Sequence, residues 1–208
     1  MAARREAMAR GALSLLTPPM TQNRVTARQG HGSARVVLGI ATVAMGLMAG
    51  TFYAFACAVM PALARSGDRV YVEVMQNIND VIQNPVFFAG FFGALVLTAI
   101  AAWQLRRTSL RWWVWAALLA YAAAFLLTSG VNVPLNNDLA DAGDPAKIAD
   151  PAAVRERFED AWVAWNVVRA VLCTAASALL VRALMLLGGD RAAQPAYLDP
   201  AAGSTASR

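Results

Sequence analysis

Four apolar runs, each nearly free of charged side chains, most constrain what this chain can fold into. They cover about residues 36–60, 87–105, 112–130 and 165–187. A helix needs about 20 apolar residues to cross the hydrocarbon core of a bilayer, and a soluble core helix rarely stays apolar on every face. Charged residues are only 15% of the chain and mean hydropathy is +0.46. The sequence therefore predicts four transmembrane helices.

Charges are shared unequally among the segments that join these runs. The short link between the second and third runs carries Arg106, Arg107 and Arg111. Because short basic loops face the cytoplasm, we expect this link and both termini to be cytoplasmic, in the cytoplasmic membrane if the protein is bacterial. Most of the 18 basic residues then lie inside, and most of the 13 acids lie outside. The pI near 9.9 thus reflects topology, and no nucleic-acid partner is expected.

The chain is predicted to consist of one membrane domain and two tails. Residues 34–187 form the membrane domain, and residues 1–33 and 188–208 are expected to be flexible cytoplasmic tails. Asp150 followed by Pro151 predicts a helix start, so the fourth helix should begin outside and run unbroken into its span.

An additional helix is predicted in the first outer segment, between the first two spans. Apolar side chains recur there at helical spacing, which is typical of an amphipathic helix. They are Val70, Val74, Ile78 and Val81. The predicted fold class is therefore all-α: an integral membrane four-helix bundle with an extra amphipathic extracytoplasmic helix and an extended fourth helix.

The chain contains few side chains that could bind a metal ion or a haem. His31 is the only histidine, and Cys57 and Cys173 are the only cysteines. Structural zinc sites and iron–sulfur clusters need about four such ligands. We therefore expect no metal site and no cofactor.

Amides, tryptophans and one arginine gather near the predicted outer ends of the spans. Arg169 is placed where the fourth helix enters the hydrocarbon, so it should have a partner or reach water. It either binds an anionic oxygen of a ligand or extends outward beside tryptophans. The amides either orient that ligand or hold helices together. The candidate ligand-binding residues are Arg169, Asn166, Trp165, Trp162, Asn136, Asn132, Asn84 and Asn79.

Several short motifs follow one another in an order that resembles the anthrone oxygenase-like membrane family. The resemblance covers about residues 36–187. The motifs are Gly50-Thr51-Phe52-Tyr53-Ala54-Phe55, Val59-Met60-Pro61-Ala62-Leu63, Met75-Gln76-Asn77-Ile78-Asn79, Asn84-Pro85-Val86-Phe87, Asn132-Val133-Pro134-Leu135-Asn136, and Trp162 and Trp165 with Asn166 and Arg169.

This resemblance implies a four-helix membrane protein, and some fungal members are implicated in oxidising anthrones to anthraquinones, seemingly without a metal or flavin. An anthrone is acidic at its methylene, and its anion can pass an electron to oxygen. The position after Asn166 is often histidine in the family and is Val167 here, which removes one general base. Asp138, Glu159 and Asp160 are the remaining candidates by proximity, although such acids are more often solvated.

Two functions therefore remain open from the sequence. The first is cofactor-independent oxidation of a lipophilic, anthrone-like aromatic substrate in a cup at the outer helix ends. The second is a non-enzymatic membrane protein that binds a lipid or apolar ligand, or a small subunit of a membrane complex. The expected partners are the lipid bilayer and a lipophilic small molecule. A transporter is disfavoured because the spans lack charged midplane residues.

Overall fold

The structure, a computed structural model, describes the backbone of residues 20–192 and the side chains of residues 32–188. All elements in that part of the chain are helical. They are α1 (Met20–Ala54), α2 (Met60–Leu63), α3 (Asp68–Val81), α4 (Pro85–Leu105), α5 (Arg111–Leu127), α6 (Val133–Asp141) and α7 (Pro151–Ala192). Two five-residue π-helical turns, Phe55–Val59 and Thr128–Asn132, join α1 to α2 and α5 to α6.

Within the part of the chain that the structure describes, four helical segments are long and apolar enough to cross a membrane. They cover residues 32–63, 85–105, 111–141 and 151–188. This confirms the predicted all-α membrane bundle. Each segment is longer than the predicted span, the second by only two residues, because a helix does not have to end where the apolar run ends.

The predicted tails fall largely outside the described residues, which exclude residues 1–19 and 193–208. Residues 20–33 were assigned to a flexible tail but are helical and belong to α1, and residues 188–192 belong to α7. No proline interrupts residues 20–54, and proline is what most strongly stops a helix. The contacts described below are those within the compact unit that begins at Val37.

Two helices, α4 and α7, each begin at a proline that follows a polar residue. The Asn84 side chain accepts hydrogen bonds from the backbone N–H groups of Val86 and Phe87, both at 3.0 Å. The Asp150 carboxylate accepts one from Ala153 at 3.0 Å. Pro85 and Pro151 follow them, where a missing N–H costs nothing. The predicted start of the fourth helix therefore agrees with the observed one.

The third span continues much further than the sequence predicted. The predicted span ends at about residue 130, but the chain stays helical through the π turn and α6 to Asp141. Pro134 lies in the first turn of α6. Because α5 continues into α6 without a break, the proline ring would clash with the preceding turn if the helix were regular there. The wider π turn just before it accommodates the proline.

The spans are joined by side-chain packing and by a buried hydrogen bond. The Tyr121 hydroxyl of α5 donates to the Phe91 carbonyl of α4 at 2.8 Å. The rings of Phe91 and Phe125 stack with centroids 4.8 Å apart. The hairpin between α4 and α5 turns through residues 106–110. We call this the hairpin end of the bundle and the opposite end, which carries α3 and α6, the α3 end.

A small apolar core covers the α3 end. It consists of Met60, Tyr71, Val72, Met75, Leu139, Phe158 and Trp162. The amphipathic helix is present as α3, and its most deeply buried side chains lie beside the predicted apolar row. Tyr71, Val72 and Met75 are buried, whereas Val70 and Val81 are 50% and 72% exposed. The side that touches α6 and α7 decides which face is buried, and helical spacing alone does not contain that information.

Candidate functional site

Arg169 lies inside the bundle near the α3 end. Only 4% of this residue is exposed, so its side chain turns inward instead of extending outward. One terminal guanidinium nitrogen donates to the Asn166 side-chain oxygen at 3.0 Å, and the other donates to the Thr128 hydroxyl at 3.4 Å. The Arg169 Nε is buried and has no hydrogen-bond partner among the described residues.

Two aromatic rings flank this guanidinium. Its central carbon lies 4.5 Å from the ring centroid of Phe52 and 5.4 Å from that of Trp162. An arginine over an aromatic face gains a favourable interaction with the ring quadrupole. The rings therefore hold the guanidinium in place without neutralising its charge.

Two buried asparagines surround the same position, and each is 1% exposed. The Asn166 amide donates to the Phe52 carbonyl at 3.1 Å. The Asn132 amide donates to the Trp162 carbonyl at 3.4 Å, and its side-chain oxygen has no partner among the described residues. The site therefore contains a donor on Arg169 and an acceptor on Asn132 that the protein leaves unused.

The second π turn supplies two residues of this site, and the first lies close to a third in the chain. Thr128, a hydrogen-bond partner of Arg169, begins the second π turn, and Asn132 ends it. Phe52 lies three residues before the first π turn. Such turns are rare and frequently occur at functional sites. Pro61 lies two residues after the end of the first π turn, and Pro134 lies two residues after the end of the second.

A surface groove approaches the site from the α3 end. Its volume is about 160 Å³, and it is lined by Leu135, Asp138, Leu139, Val154, Arg157 and Phe158. The ring of Phe158 stacks on Trp162 with centroids 6.0 Å apart, and the indole N–H of Trp162 donates to the Asn136 side chain at 2.8 Å. These two aromatic rings thus stand between the groove and Arg169.

Arg155 organises the acids beside this groove. Its guanidinium pairs with Glu159 at 2.5 Å and with Asp68 at 2.9 Å, so Glu159 is engaged in an ion pair. Its central carbon also lies 4.6 Å from the Tyr71 ring. Burial raises the pKa of the Tyr71 hydroxyl above its ordinary value, and the negative charge of Glu159 raises it further.

The structure brings together five of the eight residues that the sequence proposed. Trp162, Asn166 and Arg169 are joined by contacts with Asn132 and Asn136. Three others lie apart. Asn84 caps α4, and Trp165 is 38% exposed. Asn79 is a half-buried residue of α3 whose amide nitrogen has no partner among the side chains that the structure describes.

Sequence reasoning missed Phe52 and Thr128, although both contact Arg169. Thr128 is a polar residue at the end of an apolar run, and Phe52 belongs to one of the quoted motifs. The usable signal was the pair of prolines, Pro61 and Pro134, because a proline within a continuing helix indicates a local irregularity.

Comparison with known proteins gives one match. Residues 85–179 match the sequence model of a family described as anthrone oxygenase, which confirms the resemblance over this segment. The segment contains Asn132, Asn136, Trp162, Asn166 and Arg169, whereas α1 and α3 lie before it. No curated protein and no solved structure matches the chain.

Proposed function

We propose that this anthrone oxygenase-like membrane protein binds a flat, lipophilic aromatic molecule through an anionic oxygen at Arg169 and promotes its oxidation by molecular oxygen. The observation that carries the proposal is the buried charge of Arg169. No carboxylate among the described side chains lies within salt-bridge distance of it. An unpaired buried ion costs several kcal/mol, and an anionic ligand would offset that cost.

The unused hydrogen-bonding groups match such a ligand. A ligand oxygen can accept from the Arg169 Nε, and a ligand hydroxyl can donate to the Asn132 side-chain oxygen. Buried polar groups are nearly always paired, so two unpaired groups in one cluster support a binding role. Phe52 and Trp162 offer ring faces against which a flat aromatic molecule can stack.

The chemistry that this site supports begins with loss of a methylene proton. Removal of that proton from an anthrone gives an aromatic enolate, whose oxygen would lie at Arg169. A guanidinium aimed at a developing oxyanion in a dry site stabilises it strongly. The enolate transfers an electron to oxygen, and the carbon radical and superoxide combine at the former methylene carbon. The resulting peroxide anion takes back the proton that the base removed, and the hydroperoxide then loses water. Anthrone and one O₂ thus give anthraquinone and one H₂O.

The geometry favours Asp138 among the candidate bases. Glu159 is held by Arg155. Asp160 and Asp138 are both exposed, but Asp160 does not line the groove. Asp138 lines the groove beside Phe158, and no described cation lies within salt-bridge distance of it. A substrate that extends from the groove toward Arg169 would bring its methylene closer to this carboxylate than to the other two.

A second function, ligand binding without catalysis, is favoured by the separation between the acids and Arg169. None of the hydrogen bonds of Arg169 involves Asp138, Glu159 or Asp160. Asn132 and Asn166 also bond to backbone carbonyls of neighbouring helices, which is a structural role. The protein would then hold a lipid or an apolar anion, or serve as a subunit of a membrane complex.

Oxygen consumption distinguishes the two functions. Membranes containing the wild-type chain, supplied with anthrone, should consume oxygen and form anthraquinone faster than membranes without it. Arg169→Gln should lower the rate at least tenfold, and Asp138→Asn should lower it while binding persists. Arg65→Gln, which removes an exposed arginine at the same end, is the matched control. Binding of anthrone without turnover would overturn the enzymatic proposal in favour of the second function.

A further inference from the structure

We infer that the hairpin end of the bundle is a binding site for the phosphate of an anionic phospholipid, formed by Arg106, Arg111 and Arg182. These arginines belong to different elements, since Arg106 follows α4, Arg111 begins α5 and Arg182 lies on α7. The site is distinct from Arg169 and does not depend on the function proposed for it.

Each of the three guanidinium groups rests on a tryptophan ring. The central carbon of Arg106 lies 3.9 Å from the ring centroid of Trp103, and that of Arg111 lies 4.9 Å from Trp112. Arg182 reaches across from α7 to Trp113 at 5.9 Å. Because the N–H donors lie in the guanidinium plane, a ring on one face leaves donors available for an anion. One terminal nitrogen of Arg106 already donates to the Trp103 carbonyl at 2.6 Å, so its other donors remain for the phosphate.

No described acid balances this positive charge. Arg106, Arg107, Arg111 and Arg182 lie at the hairpin end, whereas all acidic residues between positions 32 and 188 lie between Asp68 and Asp160, on the elements of the α3 end. The three ion pairs among the described side chains are also at the α3 end. The arginines of the hairpin end thus have unpaired charge for a phosphate, with which guanidinium groups form short, charge-assisted hydrogen bonds.

The surrounding surface indicates a lipid phosphate and not a free one. Trp103 and Trp112 are 64% and 70% exposed, and exposed tryptophans at span ends lie at headgroup depth. Toward the middle of the spans, Leu119 is 67% exposed and Val171 is 62% exposed. A phospholipid can place its phosphate at the arginines while its acyl chains cover these apolar side chains.

Native mass spectrometry of the detergent-purified chain tests this inference. Phosphatidylglycerol and phosphatidylcholine with identical acyl chains are titrated in parallel, with and without glycerol 3-phosphate. The variant Arg111→Gln/Arg182→Gln is compared with Arg65→Gln/Lys147→Gln, which removes the same charge at the α3 end. Arg111→Lys/Arg182→Lys keeps the charge but loses the planar donor pair. Circular dichroism and gel filtration establish that each variant is folded.

The wild-type chain should bind phosphatidylglycerol more tightly than phosphatidylcholine. The glutamine pair at the hairpin end should weaken that binding at least tenfold, the lysine pair should weaken it less, and the control pair should leave it unchanged. Equal affinities for the two lipids, or an equal loss in the control pair, would overturn the inference. Displacement of the lipid by glycerol 3-phosphate would identify a free phosphate ester as the ligand and would also overturn it.

Discussion

Arg155 of α7 donates to the carboxylate of Asp68, at the start of α3, across 2.9 Å. The same guanidinium also donates to the carbonyls of Ala64 and Ser66, at 3.0 and 3.1 Å. One side chain therefore joins α7 to the turn that follows α2. This joint keeps the small apolar core, including Trp162, over the site of Arg169.

Replacing Arg155 should destabilise the α3 end. Arg155→Gln leaves Glu159 and Asp68 without their cation and two carbonyls without their donor. Because the Arg155 side chain is only 15% exposed, we expect a loss of roughly 1–3 kcal/mol in the free energy of unfolding. Thermal unfolding in detergent measures this loss.

Lys147 provides the matched control for this prediction. It pairs with Asp144 at 3.1 Å, but its side chain is 84% exposed. Such a pair contributes about 0–1 kcal/mol, so Lys147→Gln should hardly change the unfolding temperature. Equal effects of the two variants would show that Arg155 has no special structural role.

Tyr71 should make the protein sensitive to alkaline pH. Its pKa is raised in the folded state, so the unfolded chain loses the proton first, above the ordinary tyrosine pKa of about 10. The contribution of Tyr71 is therefore fully present below that pH and is lost as pH rises toward the folded pKa. Unfolding temperatures between pH 8 and 11 should fall less steeply for Tyr71→Phe than for wild type.

A second prediction for Tyr71→Phe concerns the stability of the protein at neutral pH. The Tyr71 hydroxyl is buried and has no hydrogen-bond partner among residues 32–188, and an unpaired buried hydroxyl is unfavourable. Tyr71→Phe should therefore not lower stability at pH 7. Tyr53→Phe, at a residue that is 62% exposed, should change neither property. A steep alkaline loss that persists in Tyr71→Phe would assign the effect to another group.

The orientation proposed from the charge pattern predicts where each end of the bundle lies. A reporter fused after Arg208 should behave as cytoplasmic, and one inserted at Gly143 should behave as external. Gly143 suits an insertion because it lies in the short loop after α6 and has a positive φ of 82°, which marks it as a turn residue. An external C-terminus would reverse the placement of the Arg169 site.

Sequence patterns predicted the spans well because hydropathy along a helix does not depend on neighbouring helices. The first residues of two helices were also predictable. Asn84 and Asp150, each followed by a proline, satisfy exposed backbone N–H groups locally. Sequence patterns could not show, however, that the side chain of Asn84, a proposed ligand-binding residue, caps α4 instead.

The contacts of Arg169 were less predictable because they depend on how helices are rotated. Trp165 lies four residues before Arg169, yet the ring contacts come from Trp162 and from Phe52 on α1. A π turn inserts an extra residue into a helical turn and so changes which side chains face the bundle beyond it. Asn132 and Thr128 reach the site through such a turn.

Binding of a phenolate tests most directly whether Arg169 receives an anionic oxygen. The probe is 2-hydroxyanthraquinone, which is already oxidised, and unsubstituted anthraquinone is its uncharged match. Affinities are measured from quenching of tryptophan fluorescence, at pH values below and above the pKa of the probe. Wild type should prefer the ionised probe, Arg169→Lys should keep part of that preference, and Arg169→Gln should lose it. An unchanged preference in Arg169→Gln would contradict the account.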